Sequence, residues 1–138
     1  MIVLYSIKNS KLHLHKKQMN AHEGILTCLT FGSGMSNGLL FSGGTDNKVK
    51  IWNASNLECI GELQHHSKKI MALCHSGDGR YIASAGADNK VFVYDITKNC
   101  KMICKVETKE KPVSITFHHT SVIIGLMSGA CQVWNVLL

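Results

Sequence analysis

A chain of 138 residues that is 45% hydrophobic and 17% charged, with one proline, can bury a globular core, and this balance excludes an intrinsically disordered chain. The net charge of +6 comes from fourteen lysines and a single arginine, Arg80, set against nine acidic residues. Because base-edge and phosphate recognition favours arginine, this charge indicates solubility or attraction to acidic partners rather than a dedicated nucleic-acid reader.

The predicted elements, taken along the chain, are short β-strands with alternating apolar residues. The first twenty residues contain two of them, at 2–7 and 11–15. From residue 21 onward a fixed order recurs: a strand, a turn, a second strand, a tight turn, a strand that ends on an aromatic residue, and an outer strand. The members of these repeats are 26–31, 39–42, a strand ending at Trp52, and 58–63; then 70–74, 81–84, a strand ending at Tyr94, and 101–106; then 113–117, 122–125 and a strand ending at Trp134.

The repeat is clearest where the segment from Asp46 to Asn53 returns 42 residues later as the segment from Asp88 to Asp95. A period near 40 residues, with an aspartate six residues before an aromatic, is typical of one four-stranded propeller blade. We therefore predict an all-β fold of about three antiparallel blades plus a partial one, in an incomplete ring. The predicted divisions are a partial blade at 1–20, blades at 21–64 and 65–107, and a blade lacking its outer strand at 108–138.

These residues resemble the WD-repeat (tryptophan–aspartate) β-propeller family over essentially the whole chain. The resemblance is clearest from His22 to Phe31, from Phe41 to Asp46 and from Ile51 to Asn53, with a second copy around His66. It implies that a histidine, a strand serine, a turn aspartate and a strand aromatic form a hydrogen-bonded network in each full blade. The implied members are His22, Ser42, Asp46 and Trp52 in one blade, and His66, Ser84, Asp88 and Tyr94 in the next.

The network is expected to weaken along the chain. Tyr94 lacks the indole N–H of tryptophan, so the second network should be one link shorter. In the last blade Ser128 stands where the aspartate belongs, and Lys109 is assigned to the position of the histidine. No complete network is therefore expected there.

A histidine, a serine and an aspartate also make up a hydrolase triad, but the same trio occurs twice at the repeat period, which favours a structural role. The eight histidines lack the paired spacing of a zinc site, and the glycine pairs do not precede a helix as phosphate loops do. We predict no enzymatic activity, no metal and no cofactor.

The six cysteines form no C-x-x-C pair and lie mostly in apolar runs, which is typical of reduced, buried thiols in an intracellular protein. The apolar run at 2–7 is short and is followed rather than preceded by a lysine, unlike a signal peptide. No run of the sequence approaches the roughly 20 apolar residues of a membrane span. We expect a cytoplasmic or nuclear protein with no membrane partner.

The family resemblance implies that partners dock on the face formed by the loops into the first strands and the turns after the second strands. The apolar members Ile25, Met71, Pro112 and Met127 would form an adaptable patch, unless some of them pack between blades. The exposed positions expected on this face are Ile25, Thr27, Thr45, Lys69, Met71, Ala87, Pro112, Ser114 and Met127.

We expect a non-enzymatic scaffold or adaptor for protein–protein interactions in a larger assembly. The alternative is a component of a ribonucleoprotein or RNA-processing complex with weak basic contacts to RNA, which the charge alone suggests. Family rings usually have about seven blades and need roughly 300 residues. Ring completion by a longer parent chain, by another subunit or by a second copy all remain open; in a pair of copies, strand 11–15 of one would complete blade 108–138 of the other.

Overall fold

Thirteen β-strands and two short 3-10 helices make up residues 1–136, the part of the chain that the computed structural model describes. The number and order of strands predicted from the sequence are confirmed, and most strands run one to three residues longer than predicted. Residues 137 and 138 of the last predicted blade lie outside the described residues. The strands are β1 (Ile2–Lys8), β2 (Lys11–Gln18), β3 (Leu26–Phe31), β4 (Leu39–Gly44), β5 (Val49–Asn53), β6 (Cys59–Leu63), β7 (Ile70–His75), β8 (Tyr81–Gly86), β9 (Lys90–Asp95), β10 (Lys101–Glu107), β11 (Pro112–His118), β12 (Ser121–Leu126) and β13 (Cys131–Asn135).

The strands form four antiparallel sheets in which each strand pairs with the next along the chain. The first sheet is β1–β2, the second is β3–β4–β5–β6, the third is β7–β8–β9–β10 and the fourth is β11–β12–β13. Connections between paired strands are short, as expected for meanders built on turn residues. The all-β fold of four-stranded antiparallel blades is therefore confirmed, as an open arc rather than a closed ring.

Sheets pack face to face through three apolar clusters, one at each boundary. Ile2, Leu40 and Trp52 belong to the cluster between the first and second sheets. Phe41, Ile51, Ile82, Phe92 and Tyr94 fill the boundary between the second and third sheets. Val91, Val93, Val122, Ile124 and Leu126 lie between the third and fourth. The two middle sheets thus bury both faces, which explains why all six residues of β8 are buried.

A β-bulge recurs at the same place in the first strand of the second, third and fourth sheets. The pairing register shifts between residues 26 and 28, between 70 and 72, and between 112 and 114. Thr27, Met71 and Val113 are therefore the extra residues, and they occupy equivalent positions. In the second sheet the Thr27 hydroxyl donates to the carbonyl of Ile70 in the neighbouring sheet at 2.7 Å, so this bulge joins adjacent sheets.

The opposite ends of the second and third sheets are joined through their loops. The Met35 amide donates to the Asp78 carbonyl at 2.9 Å, across the boundary between the two sheets. Gly79 has a positive φ of 72°, and a Cβ at this position would collide with the Ser33 carbonyl. Glycine is therefore required there by both the backbone conformation and the close approach of the two loops.

The outer faces of the first and fourth sheets expose large apolar side chains. Ile7 is 75% exposed and Leu12 is 68% exposed in the first sheet, and Val133 is 65% exposed in the fourth. Exposed apolar surfaces of this kind are typical of association sites. Within residues 1–136, the structure has no helix that combines the length and apolar character needed to cross a membrane.

These apolar faces predict that the 138-residue chain self-associates at micromolar concentration, as measured by native mass spectrometry over a dilution series. Replacing Ile7→Lys and Val133→Lys together should shift the mass distribution toward monomer. The control is Met35→Lys, because Met35 is 64% exposed but lies on a loop between the strands of the second sheet, away from both outer faces. A discrete dimer would support completion by a second copy, whereas a monomeric wild-type chain would contradict the prediction.

Candidate docking face

One hydrogen-bonded chain runs through the second sheet from a buried indole to a carboxylate. Trp52 Nε1 donates to Ser42 Oγ at 2.8 Å. The Ser42 hydroxyl lies 2.6 Å from His22 Nε2, and His22 Nδ1 lies 2.8 Å from Asp46 Oδ1. Because an indole can only donate, Ser42 accepts from Trp52 and donates its own proton to Nε2, which leaves Nδ1–H to donate to Asp46. The four residues assigned to the first network thus lie in one directed chain.

The Asp46 carboxylate also holds two loops together. It accepts from the Glu23 amide at 3.1 Å and from the Lys48 amide at 3.3 Å. Burial alone would raise the pKa of Asp46, but His22 and these amides outweigh it and hold the pKa below its ordinary value. The charged carboxylate therefore ties the loop before β3 to the turn after β4.

The third sheet repeats this arrangement with a different aromatic end. His66 Nδ1 lies 2.9 Å from Asp88 Oδ1, and His66 Nε2 lies 2.8 Å from Ser84 Oγ. Asp88 accepts from the amides of Ser67 and Lys90 at 3.0 and 3.2 Å. Asp88 therefore ties the loop before β7 to the turn after β8, as Asp46 ties the equivalent loop and turn in the second sheet. We call each of these two arrangements a clamp.

The aromatic residue of the third sheet reaches a neighbour that the sequence did not single out. The Tyr94 hydroxyl lies 3.4 Å from His65 Nδ1. Burial raises the pKa of Tyr94 to about 12, although the nearby Ser84 hydroxyl opposes the rise. Burial likewise lowers the pKa of His66, with Asp88 opposing, so His66 is held as a neutral ring.

The fourth sheet contains no indole-to-carboxylate chain within residues 108–136. Trp134 is 41% exposed, and its Nε1 donates to Gln132 Oε1 at 3.3 Å. The Ser128 amide, at the position of Asp46 and Asp88, donates to Glu110 Oε2 at 3.3 Å. A carboxylate from the preceding loop thus replaces part of the missing turn aspartate.

The histidine, serine and aspartate of each network have the connectivity of a hydrolase triad, but the surroundings differ. Ser42 and Ser84 are 0% exposed, and the Ser42 hydroxyl is already used by Trp52 and His22. A nucleophile needs access to substrate beside an oxyanion hole. Each trio is placed to hold loops in position. Within residues 1–136, no three His, Cys, Asp or Glu side chains are grouped to hold a metal ion.

The loops tied by these networks lie at one end of the sheets, which we call the upper face. It consists of the loops that precede β3, β7 and β11 and the turns that follow β4, β8 and β12. One backbone bond recurs there in all three sheets: the Thr45 amide to Ile25, the Ala87 amide to Lys69, and the Met127 amide to Lys111, at 2.8, 2.9 and 3.0 Å. These bonds place residues 25, 69 and 111 in equivalent positions.

Three assignments in the last blade were wrong by one residue. Pro112 was expected to be exposed, but it is fully buried as the first residue of β11, opposite Leu126. The backbone bond to Met127 shows that Lys111 takes the position assigned to Pro112, and the bulge shows that Val113 takes the position assigned to Ser114. The same shift places Thr108, rather than Lys109, at the position of His22 and His66.

The other residues expected on this face are placed there with different exposure. Ile25 and Met127 are 70% and 69% exposed. Thr27 and Lys69 are exposed, whereas Thr45, Met71 and Ala87 are half-buried. Ser114 is also exposed, but it lies within the β11 ladder, opposite Gly125. Sequence reasoning missed Lys111 and Val113, although counting backward from the turn at Ser128 instead of aligning apolar residues could have found them.

Comparison with known proteins identifies the repeat. The family model for "WD domain, G-beta repeat" matches residues 14–53 and 57–95, together more than half of the chain. The small ribosomal subunit protein RACK1y of Oryza sativa subsp. japonica is 31% identical over 86 residues, which cover 62% of this chain and 25% of that protein. The crystal structure of the Cps50 (Swd1) β-propeller domain of Myceliophteria thermophila matches with a TM-score of 0.74 and 25% identity, over 85% of this chain and 37% of that one. The chain thus spans about a quarter of the curated relative's length.

The first network predicts a specific loss of stability when its central hydroxyl is removed. Ser42→Ala should lower the free energy of unfolding by about 2–4 kcal/mol, because both the Trp52 indole and His22 Nε2 lose a buried partner. The matched control, Ser84→Ala, removes one such partner and should cost about 1–2 kcal/mol. Urea unfolding followed by tryptophan fluorescence measures both losses. A loss for Ser84→Ala that equals or exceeds that for Ser42→Ala would contradict the prediction.

The networks also predict that acid destabilises the fold. The native pKa of His66 lies below its ordinary 6.5, and those of Asp46 and Asp88 lie below 3.8. Groups with lowered native pKa bind protons more readily in the unfolded chain, so the free energy of unfolding should fall as pH drops below about 6.5, and more steeply below about 4. Urea unfolding at a series of pH values measures this, and Asp46→Asn should flatten the acid limb. Constant stability across this range would refute the prediction.

Proposed function

The chain belongs to the WD domain, G-beta repeat family, and we propose that it is a non-enzymatic scaffold that holds other proteins on its upper face within a larger assembly. The observation that carries the proposal is the pair of clamps at Asp46 and Asp88. Each clamp fixes a loop and a turn to one another, so the backbone of the upper face in the second and third sheets is ordered before any partner arrives. A preordered surface loses less conformational entropy on binding.

The side chains that this backbone presents suit protein docking. Ile25 and Met127 project from the face with more than two thirds of their surface exposed. Methionine adapts its shape to varied partners, and scattered apolar residues ringed by polar ones are typical of protein interfaces. Lys69 and Thr27 add exposed polar groups beside them.

Membership of a larger assembly is supported by the outer faces of the first and fourth sheets. Their exposed apolar residues, including Ile7 and Val133, are the kind of surface that is covered in a functional complex. The matched relative is named a small ribosomal subunit protein, and that name describes a component of a larger assembly. We propose that a longer parent chain, another subunit or a second copy covers these faces.

A second candidate is a component of a ribonucleoprotein complex with weak contacts to RNA. It is favoured by the net charge of +6 and by the ribosomal name of the relative. The single arginine weighs against base or phosphate recognition as the main role. Binding to RNA that declines steeply with added salt would support this candidate, whereas no binding at low salt would eliminate it.

The proposed setting is intracellular, without a cofactor or membrane partner. All six cysteines are free thiols. Burial raises the pKa of Cys74 to about 12, so its thiol is unreactive in place. The expectation of buried thiols is wrong for Cys59 and Cys131, which are exposed, and the other four are half-buried. Free thiols are typical of reducing compartments.

The proposal predicts that partners are lost when the apolar residues of the upper face become charged. Ile25→Asp with Met127→Asp should abolish the stoichiometric recovery of partner proteins on affinity purification from cells, as quantified by mass spectrometry. The matched control is Met35→Asp, which adds a charge at an equally exposed methionine outside the upper face. Unchanged recovery with the double variant, or equal loss with the control, would disprove the role of the upper face.

A further inference from the structure

Two neighbouring loops of the upper face carry paired lysines. Lys68 and Lys69 precede β7, and Lys109 and Lys111 precede β11. Lys69 and Lys111 occupy equivalent positions, because the carbonyl of each accepts the recurring backbone bond from the turn of its own sheet. The second loop is also fixed to the neighbouring sheet. The Thr108 amide and hydroxyl donate to the Asn89 carbonyl at 2.8 and 3.1 Å. The two lysine pairs therefore lie side by side on one continuous surface.

These four lysines have no acidic partner within residues 1–136. The ion pairs of other lysines lie elsewhere: Lys48 and Lys50 with Glu62, Lys98 with Asp95, and Lys105 with Glu107, at 3.0–3.9 Å. Lys68, Lys69 and Lys109 are exposed, and Lys111 is half-buried. Their ammonium groups are thus available to a ligand.

The carboxylates on this part of the upper face are already occupied. Asp88 accepts from His66 and from two backbone amides. Glu110 accepts from the Ser128 amide. Ser128 itself stands where the other two sheets have an aspartate. These hydrogen bonds leave Asp88 and Glu110 charged, but the four lysines outnumber the two carboxylates, so the region has a net positive charge that attracts a negatively charged partner.

Two exposed apolar side chains, those of Met127 and Val113, lie within the same region. The Met127 amide bonds to the Lys111 carbonyl, and the Met127 side chain is 69% exposed. Val113, the bulge residue beside Lys111, is 39% exposed. Four lysines around exposed apolar side chains suit a chain in which carboxylates alternate with apolar residues. Nucleic acid would instead be gripped best by the planar fork of arginine, and the only arginine, Arg80, is engaged with Asp95 at 3.0 Å.

We propose that the upper face of the third and fourth sheets binds an acidic segment of a partner protein, with carboxylates at Lys68, Lys69, Lys109 and Lys111 and an apolar side chain on Met127. This inference rests on the proposed scaffold function and specifies the chemistry of its partner. It is distinct from the apolar contact at Ile25, which belongs to the second sheet.

Fluorescence anisotropy can test the proposal with a labelled peptide of four Glu-Glu-Leu repeats and with its neutral Gln-Gln-Leu counterpart. The acidic peptide should bind and the neutral one should not. Lys68→Glu with Lys69→Glu, and Lys109→Glu with Lys111→Glu, should each weaken binding about tenfold. The control of equal charge change is Lys8→Glu with Lys101→Glu, on exposed lysines of β1 and β10, and it should leave affinity unchanged. Circular dichroism verifies that each variant folds. If Lys109→Glu with Lys111→Glu unfolds the protein, the milder Lys109→Gln with Lys111→Gln takes its place.

Equal weakening by the control pair would overturn the proposal, because the attraction would then reflect net charge alone. Tighter binding of a labelled oligouridylate than of the acidic peptide through the same four lysines would also overturn it, in favour of RNA. The scaffold function is tested separately. If Ile25→Asp with Met127→Asp loses the cellular partners while the lysine variants retain them, the scaffold function stands and the acidic ligand is excluded.

Discussion

The upper face depends on two buried carboxylates that are each satisfied from several directions at once. Asp46 and Asp88 take donors from a histidine, from the loop before the first strand and from their own turn. A carboxylate removed from water is costly unless it is surrounded by donors. The geometry that meets this requirement also fixes the loop against the turn. The rigidity of the upper face in the second and third sheets is therefore a consequence of satisfying one buried charge in each of these two sheets.

The packing of sheets against one another imposes a second condition on the sequence. In β8, Ile82 faces the second sheet, whereas Ala83 and Ala85 face the fourth. The small side chains on one side accommodate the larger Val122, Ile124 and Leu126 of the fourth sheet. A strand buried on both faces cannot show simple polar alternation, so β8 is apolar or small throughout. The fourth sheet meets this condition on one face only, and Val133, which pairs with Ile123 on the other face, is exposed as a result.

Features that recur at a fixed spacing within the repeat could be predicted from the sequence. Features in the last blade, where that spacing changes, were predicted wrongly. The strands and the grouping of His22, Ser42, Asp46 and Trp52 depend on fixed spacing within a repeat, and that spacing can be read without a structure. The last blade was aligned on apolar residues, which do not distinguish Pro112 from Val113. The bulge that separates them is visible only in strand pairing. Contacts between distant loops, such as Met35 with Asp78 and Tyr94 with His65, carry no local pattern and could not be inferred.

The departure of the fourth sheet from the repeat changes the chemistry of the upper face as well as its stability. Thr108 replaces the histidine and Ser128 replaces the aspartate, so the internal clamp is lost. The loop is held instead by Thr108, whose hydroxyl donates to the carbonyls of Asn89 and Glu110, and by the Glu110 carboxylate. This anchoring uses the one carboxylate of the loop and leaves Lys109 and Lys111 without an acidic partner there. The substitutions that remove the clamp from the fourth sheet therefore also create the surplus positive charge. The loss of the aspartate at position 128 both frees the fourth sheet from the clamp and favours the proposed binding of an acidic segment.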